Sequence, residues 1–180
     1  MILASASPQR RAILEQVGIP FDVRPADVEE ETTGDPVAVA EANARLKATA
    51  VPGALVLGAD TVVAVDGDIL GKPADAEQAR AYLERLAGRD HEVVGGFALA
   101  EDGDVVVVGV QRTTVTFRPA TSELLDWYVG TGEWEGRAGG YAIQGAGAVL
   151  VAGVEGDYLN VVGLPLARLL DLVPELLPTP

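Results

Sequence analysis

Two largely apolar runs, residues 92–100 and 105–110, flank Asp102-Gly103, and this arrangement restricts the fold more than any other part of the chain. Asp-Gly between strand-forming runs is a strong hairpin signal. The strand pattern continues through Thr113-Thr114-Val115-Thr116-Phe117. The N-terminus makes a different demand. Met1–Ala4 reads as a first strand, and residues 12–17 have the apolar spacing of a helix that Gly18 ends. Ser7 suits the N-cap of that helix and Pro8 its first position. Strand–turn–helix units joined to hairpins predict an α/β fold with a mixed sheet covered by helices, not a purely parallel sheet.

The remaining elements follow from their punctuation. Ile19–Pro25 reads as a short edge strand broken by prolines. Asp35-Pro36 starts a helix that runs to about Ala50 and ends at Pro52-Gly53. Residues 54–57 and 62–65 read as strand, interrupted at Gly58-Ala59-Asp60-Thr61, with Asp66-Gly67-Asp68 turning to Ile69-Leu70. Asp75-Ala76-Glu77-Gln78 resembles a capping box before a helix that Gly88 ends. Thr121-Ser122-Glu123 opens another, whose Trp127 and Tyr128 read as core. Residues 148–154 and Tyr158–Val162 read as two strands around Glu155-Gly156-Asp157, and Pro165 opens a last helix to about Val173.

Composition narrows the chemistry. A net charge of −14 argues against a general grip on nucleic acid, and makes the local pair Arg10-Arg11 stand out. Cysteine is absent, so neither disulfides nor thiolate chemistry are available. The single histidine, His91, would have to serve any serine-hydrolase triad, and no Gly-x-Ser-x-Gly elbow exists. Zinc held by His and Cys is excluded for the same reason. No apolar run nears the roughly 18 residues that span a bilayer, and no signal peptide is visible, so a cytoplasmic location without membrane attachment is the expectation.

What remains is carboxylates, lysines, arginines and hydroxyls, a set suited to metal-assisted phosphoryl or nucleotidyl chemistry. The helix start at Ser5-Ala6-Ser7-Pro8-Gln9-Arg10-Arg11 reads either as a phosphate-holding turn or as a capped surface helix. Asp27–Glu31 reads either as a solvated acidic loop or as ligands for Mg²⁺ or Mn²⁺. Arg45 and Lys47 read as exposed charges on their helix. Asp60 is an acid inside an apolar strand region, where an unpartnered carboxylate costs several kcal/mol, so it points to function or a specific partner. Gly67–Lys72 is one residue short of a Walker A loop and is followed by Pro73, leaving Lys72 as a point charge for a phosphate. Residues 136–147 are rich in glycine, which permits positive φ and close approach to a ligand.

Five blocks, in order along nearly the whole chain, resemble the Maf family: residues 2–11, Gly58-Ala59-Asp60-Thr61, Gly71-Lys72-Pro73, residues 139–145, and Gly156-Asp157-Tyr158 with Val162-Gly163-Leu164-Pro165. The resemblance implies a nucleoside triphosphate pyrophosphatase using Mg²⁺ or Mn²⁺, from a family also linked by name to septum formation. It implies one elongated Maf-like domain over residues 1–180, similar to inosine triphosphate pyrophosphatases, with the nucleotide between two lobes, and a homodimer. Carried over by position, Asp60 is the proton acceptor, Ser5 and Arg10 bind phosphate, Glu30 is an acid of the active site, and Lys47 and Lys72 match the family's two lysines. The mechanism this suggests has Arg10, Lys47 and Lys72 clamping the phosphates, Ser7 in the substrate-binding turn, and Glu30 with Asp60 holding the metal. Gln9, Thr61 and Gln144 stand at positions of base choice, and the last two resemble the subgroup acting on dTTP and UTP. Gln9 departs from that subgroup's usual arginine, and Asp90 from its usual threonine. The competing expectations are the same chemistry on modified or non-standard nucleotides, a phosphatase releasing the terminal phosphate, and a nucleotide-binding regulator of cell division with little turnover.

Overall fold

A computed structural model describes residues 1–178. Seven strands form one mixed sheet: β1 (Ile2–Leu3), β2 (Asp22–Val23), β3 (Val56–Val65), β4 (Asp68–Leu70), β5 (Asp90–Glu101), β6 (Asp104–Phe117) and β7 (Val151–Glu155). Their order is β2-β1-β3-β5-β6-β7, with β4 alongside β3. β1 runs parallel to β2 and β3, and every other pairing is antiparallel, as the mixture of connections predicts. The helices are α1 (Pro8–Gln16), α2 (Pro36–Ala50), α3 (Ala76–Leu86), α4 (Ser122–Gly130), α5 (Tyr158–Val162) and α6 (Leu166–Leu172).

Strand alternation divides the core. The odd-numbered residues of β3 and β5 face one side, where two separate clusters form. Leu57, Ala59, Phe97 and Leu99 meet Ile13 and Leu14 of α1 and Leu166 and Leu169 of α6. Farther along, Val63, Val65 and Val93 meet Leu83 and Leu86 of α3 and Leu125 and Tyr128 of α4. Fully burying each large apolar side chain there contributes about 1.5–3 kcal/mol.

The even-numbered residues face α2. Here the contact is built from small residues, Ala44 and Ala48 against Ala98 and Ala100. Gly58 and Gly96 let the helix come closer still: a Cβ at Gly58 would lie 2.2 Å from Ala44 O, and one at Gly96 2.3 Å from Ala40 O. The polar residues of α2 are thereby brought within reach of the sheet.

Three local expectations are corrected. β3 runs unbroken from Val56 to Val65 through Asp60, where the sequence reads as an interruption. Tyr158–Val162 is a helix, not a strand, because Asp157 caps it by accepting from the N–H groups of Leu159 and Asn160, and Gly163 ends it at φ 143°. Tyr128 is core as expected, but its neighbour Trp127 is half exposed, since adjacent helix positions point about 100° apart.

Candidate active site

The site lies in a gap of the sheet. One edge of β3 pairs with β1 at Val56–Leu57 and with β4 at Val63–Val65, which leaves residues 58–62 without a strand on that side. Asp60 and Thr61 stand in this opening. The cleft around it has a volume of about 1080 Å³ and is walled by the first turn of α1, the acidic loop, α2, β3 and the glycine-rich segment before residue 145. Thr61 also falls between the two core clusters, after Ala59 and before Val63.

Asp60 is buried, and both its oxygens have donors. Lys47 Nζ donates to Oδ1 at 2.7 Å and Asn43 Nδ2 to Oδ2 at 3.0 Å. Lys47 also meets Glu30 Oε1 at 2.9 Å, so one ammonium lies between two carboxylates. Contrary to its reading as a surface charge, Lys47 is only 6% exposed. Among Glu29, Glu30 and Glu31, Glu30 is the acid that meets Lys47.

Arg10 forms the second polar centre. Its Nε donates to Gly163 O at 2.8 Å, one terminal nitrogen to Ser5 Oγ at 2.9 Å and the other to Thr61 Oγ1 at 3.1 Å. This ties α1, β3 and the end of α5 together. Burial lowers the affinity of Arg10 for its proton, and the charges of Asp60 and Glu30 oppose that shift. Three of the five guanidinium N–H groups are used in these bonds, leaving two. Ser7 caps α1 by accepting from Arg10 N, and its hydroxyl donates to Gln9 Oε1 at 3.2 Å. Gln9 lines the cleft from the same turn, and Lys72 and Gln144, both exposed, line it from β4's end and the glycine-rich segment. All ten residues singled out from the sequence therefore border one cleft.

The structure adds residues that the sequence did not reveal. Asn43 is buried one helical turn before Lys47, a spacing that places both on one face of α2. Arg137 borders the cleft beside Tyr141. Tyr141 is itself fixed by a 2.8 Å hydrogen bond to His91 Nε2, and burial pushes the His91 imidazole down to about 4.

The donor chemistry fits a hard divalent cation in part. Glu30 and Asp60 offer carboxylate oxygens on either side of Lys47 Nζ. Among the described residues no group of three or more His, Cys, Asp or Glu side chains could hold a metal. Two carboxylates completed by phosphate oxygens and water is the usual way in which Mg²⁺ is held.

This α/β architecture has a counterpart in the solved structure of a HAM1 protein from Coxiella burnetii, with a TM-score of 0.52 over 97% of this chain and 98% of that one, at 18% identity. A family model described as Maf-like protein matches residues 1–176, and the chain belongs to the Maf family. Curated relatives named dTTP/UTP pyrophosphatase include those of Symbiobacterium thermophilum, 49% identical over 96% of this chain and 92% of the relative, and Thermus thermophilus, with the same identity and shares. The relative from Pyrococcus furiosus bears the same name and is 44% identical over 96% of this chain and 93% of its own.

Proposed function

We propose that this cleft hydrolyses dTTP and UTP to the monophosphate and diphosphate. The observation that carries the reading is a buried carboxylate, Asp60, oriented by Lys47 and Asn43, and opening on a cleft whose walls carry Arg10 and Lys72. The names borne by the relatives support the substrate.

In this reading a water loses its proton to Asp60 as it attacks phosphorus, and the bond to the oxygen bridging the α- and β-phosphates breaks. The remaining N–H groups of Arg10 and the ammonium of Lys72 bind the phosphates, with Ser5 and Ser7 lining the same turn. Glu30 and Asp60 would hold Mg²⁺ or Mn²⁺, which neutralises charge on the phosphates when bound. Gln9, Thr61 and Gln144 face the base. Gln9 presents an amide where the subgroup's usual arginine presents only donors, so it offers the base an acceptor as well. The family resemblance supports a homodimer in the cytoplasm, built from one domain with the cleft between its lobes. No helix among the described residues is long and apolar enough to cross a membrane.

The test is turnover of a panel of nucleoside triphosphates with Mg²⁺ and with Mn²⁺, resolving both products. Monophosphate and diphosphate, formed fastest from dTTP or UTP, are expected. Orthophosphate and a nucleoside diphosphate would replace this reading with a phosphatase. Fastest turnover of a purine or modified nucleotide would overturn the base assignment, and tight binding without turnover would favour a regulator.

A further inference from the structure

Asn43 orients Asp60, but its contacts also reach the acidic loop, which the proposed reaction does not account for. Its Oδ1 accepts from the Glu31 backbone N–H at 2.8 Å, and its Nδ2 donates to the Glu31 carbonyl at 2.9 Å. The same Nδ2 donates to Asp60 Oδ2 at 3.0 Å. The amide orientation is dictated by these partners, because a flip would set its oxygen against two other acceptors. Asn43 is 1% exposed, so a broken bond here leaves a buried polar group without a partner.

These bonds complete a ring. Asp60 connects through Asn43 to the backbone of Glu31. The neighbouring Glu30 connects through Lys47 back to Asp60. Asn43 and Lys47 lie four residues apart on α2, and the helix is seated on the sheet through Gly58 and Gly96. The acidic loop has no regular secondary structure between β2 and α2. Its position at Glu31 is held by the Asn43 side chain, through two hydrogen bonds of the kind one strand makes with another.

We propose that Asn43 is a positioning residue that locks the acidic loop to Asp60, setting Glu30 and Asp60 in a fixed relation for the reaction. The proposal rests on the pyrophosphatase reading of the cleft. Asn43 lines the same cleft as Lys72 and Gln144, but its hydrogen bonds go to the Glu31 backbone and to Asp60 and none goes to those two residues. Its loss therefore acts on kcat more than on KM. Removal of a group that orients such a site typically costs about 10–100-fold.

The test uses Asn43→Leu, with two readouts. One is kcat and KM for dTTP; the other is hydrogen exchange at the Glu31 backbone amide in the nucleotide-free protein. The expected result is a kcat lowered about 10–100-fold with KM within about threefold of the wild type. Exchange at Glu31 is expected to rise about tenfold or more while β5 amides keep their protection. A folded variant with kcat within about twofold of the wild type, or with unchanged Glu31 exchange, overturns the proposal. Should the leucine variant not fold, Asn43→Asp preserves the volume and removes both donor bonds; the same loss of kcat is expected, and unaltered kcat overturns it. If the wild type itself releases no diphosphate, the pyrophosphatase reading fails separately, and Glu31 exchange decides whether Asn43 holds the loop.

Discussion

At the scale of the residue, Lys47 is the centre of the site. Its three N–H donors meet Glu30, Asp60 and, at 3.4 Å, the carbonyl of Ala59. Taking that charge away leaves the buried Asp60 carboxylate facing Glu30, whose side chain is 34% exposed, with no cation between them. Lys47→Met is therefore expected to lose about 3–5 kcal/mol of stability, measured by urea unfolding. A loss under about 1 kcal/mol would mean that the pair behaves as a surface ion pair. Adding Mg²⁺ is expected to stabilise this variant more than the wild type, because the cation supplies the missing positive charge to Glu30 and Asp60. Asp60 was legible in the sequence because a charge inside an apolar run demands a partner. Lys47 and Asn43 were not, apart from the family resemblance for Lys47. On a helix of alanines and charged residues nothing marks which polar face is buried.

The element that decides this is α2. Its seat on the sheet depends on glycines of two different strands, and their opposition to the helix is a property of register, not of any local pattern. Asp60 pairs with Gly96 and follows Gly58 by two residues, so the helix comes close to the sheet beside the acid that needs its partners. Gly96→Ala is expected to push the Ala40 turn outward, costing about 1–3 kcal/mol and lowering turnover by displacing Asn43 and Lys47. Thermal unfolding and dTTP assays on the same preparation check this; an unchanged melting temperature would show that the backbone contact can relax freely. The hairpin, the helix starts at Pro8, Pro36 and Ala76, and the end of α1 at Gly18 were all readable from caps and turn residues. The continuity of β3 was not, since its charge looks like a break until α2 supplies the counter-charge. The aromatic and β-branched composition of Tyr158–Val162 suggested a strand, and the Asp157 cap with Gly163 overrode it.

For the molecule as a whole, the mixed sheet was legible and the gap in it was not. Short β1 and β4 cover only the two ends of one edge of β3, and the cleft opens between them. That depends on where two short strands stop, which propensity does not report. Within the cluster of Val63, Val65 and Val93, the His91 ring packs edge-on against Phe117 and Tyr141, and its burial there affects acid stability. The native imidazole titrates at about 4, against 6.5 for an unperturbed histidine. Between those values the unfolded chain binds more protons than the native one. Stability is thus complete above pH 6.5 and falls as the pH drops towards 4, by about 3 kcal/mol at the limit. Urea titrations from pH 7 to 4 are expected to show this slope, and His91→Gln to remove it; an equal slope in the variant would assign it to other groups.

The proposed role of Asp60 as the base underlies the whole reading of the cleft. It is tested most directly by diphosphate release from dTTP by Asp60→Asn beside the wild type, with circular dichroism and melting temperature to show that both are folded. The amide keeps the shape of the carboxylate but cannot take the proton from water, and kcat is expected to fall by about 10²–10⁴-fold. A folded Asn variant that releases diphosphate at close to the wild-type rate would rule Asp60 out as that base.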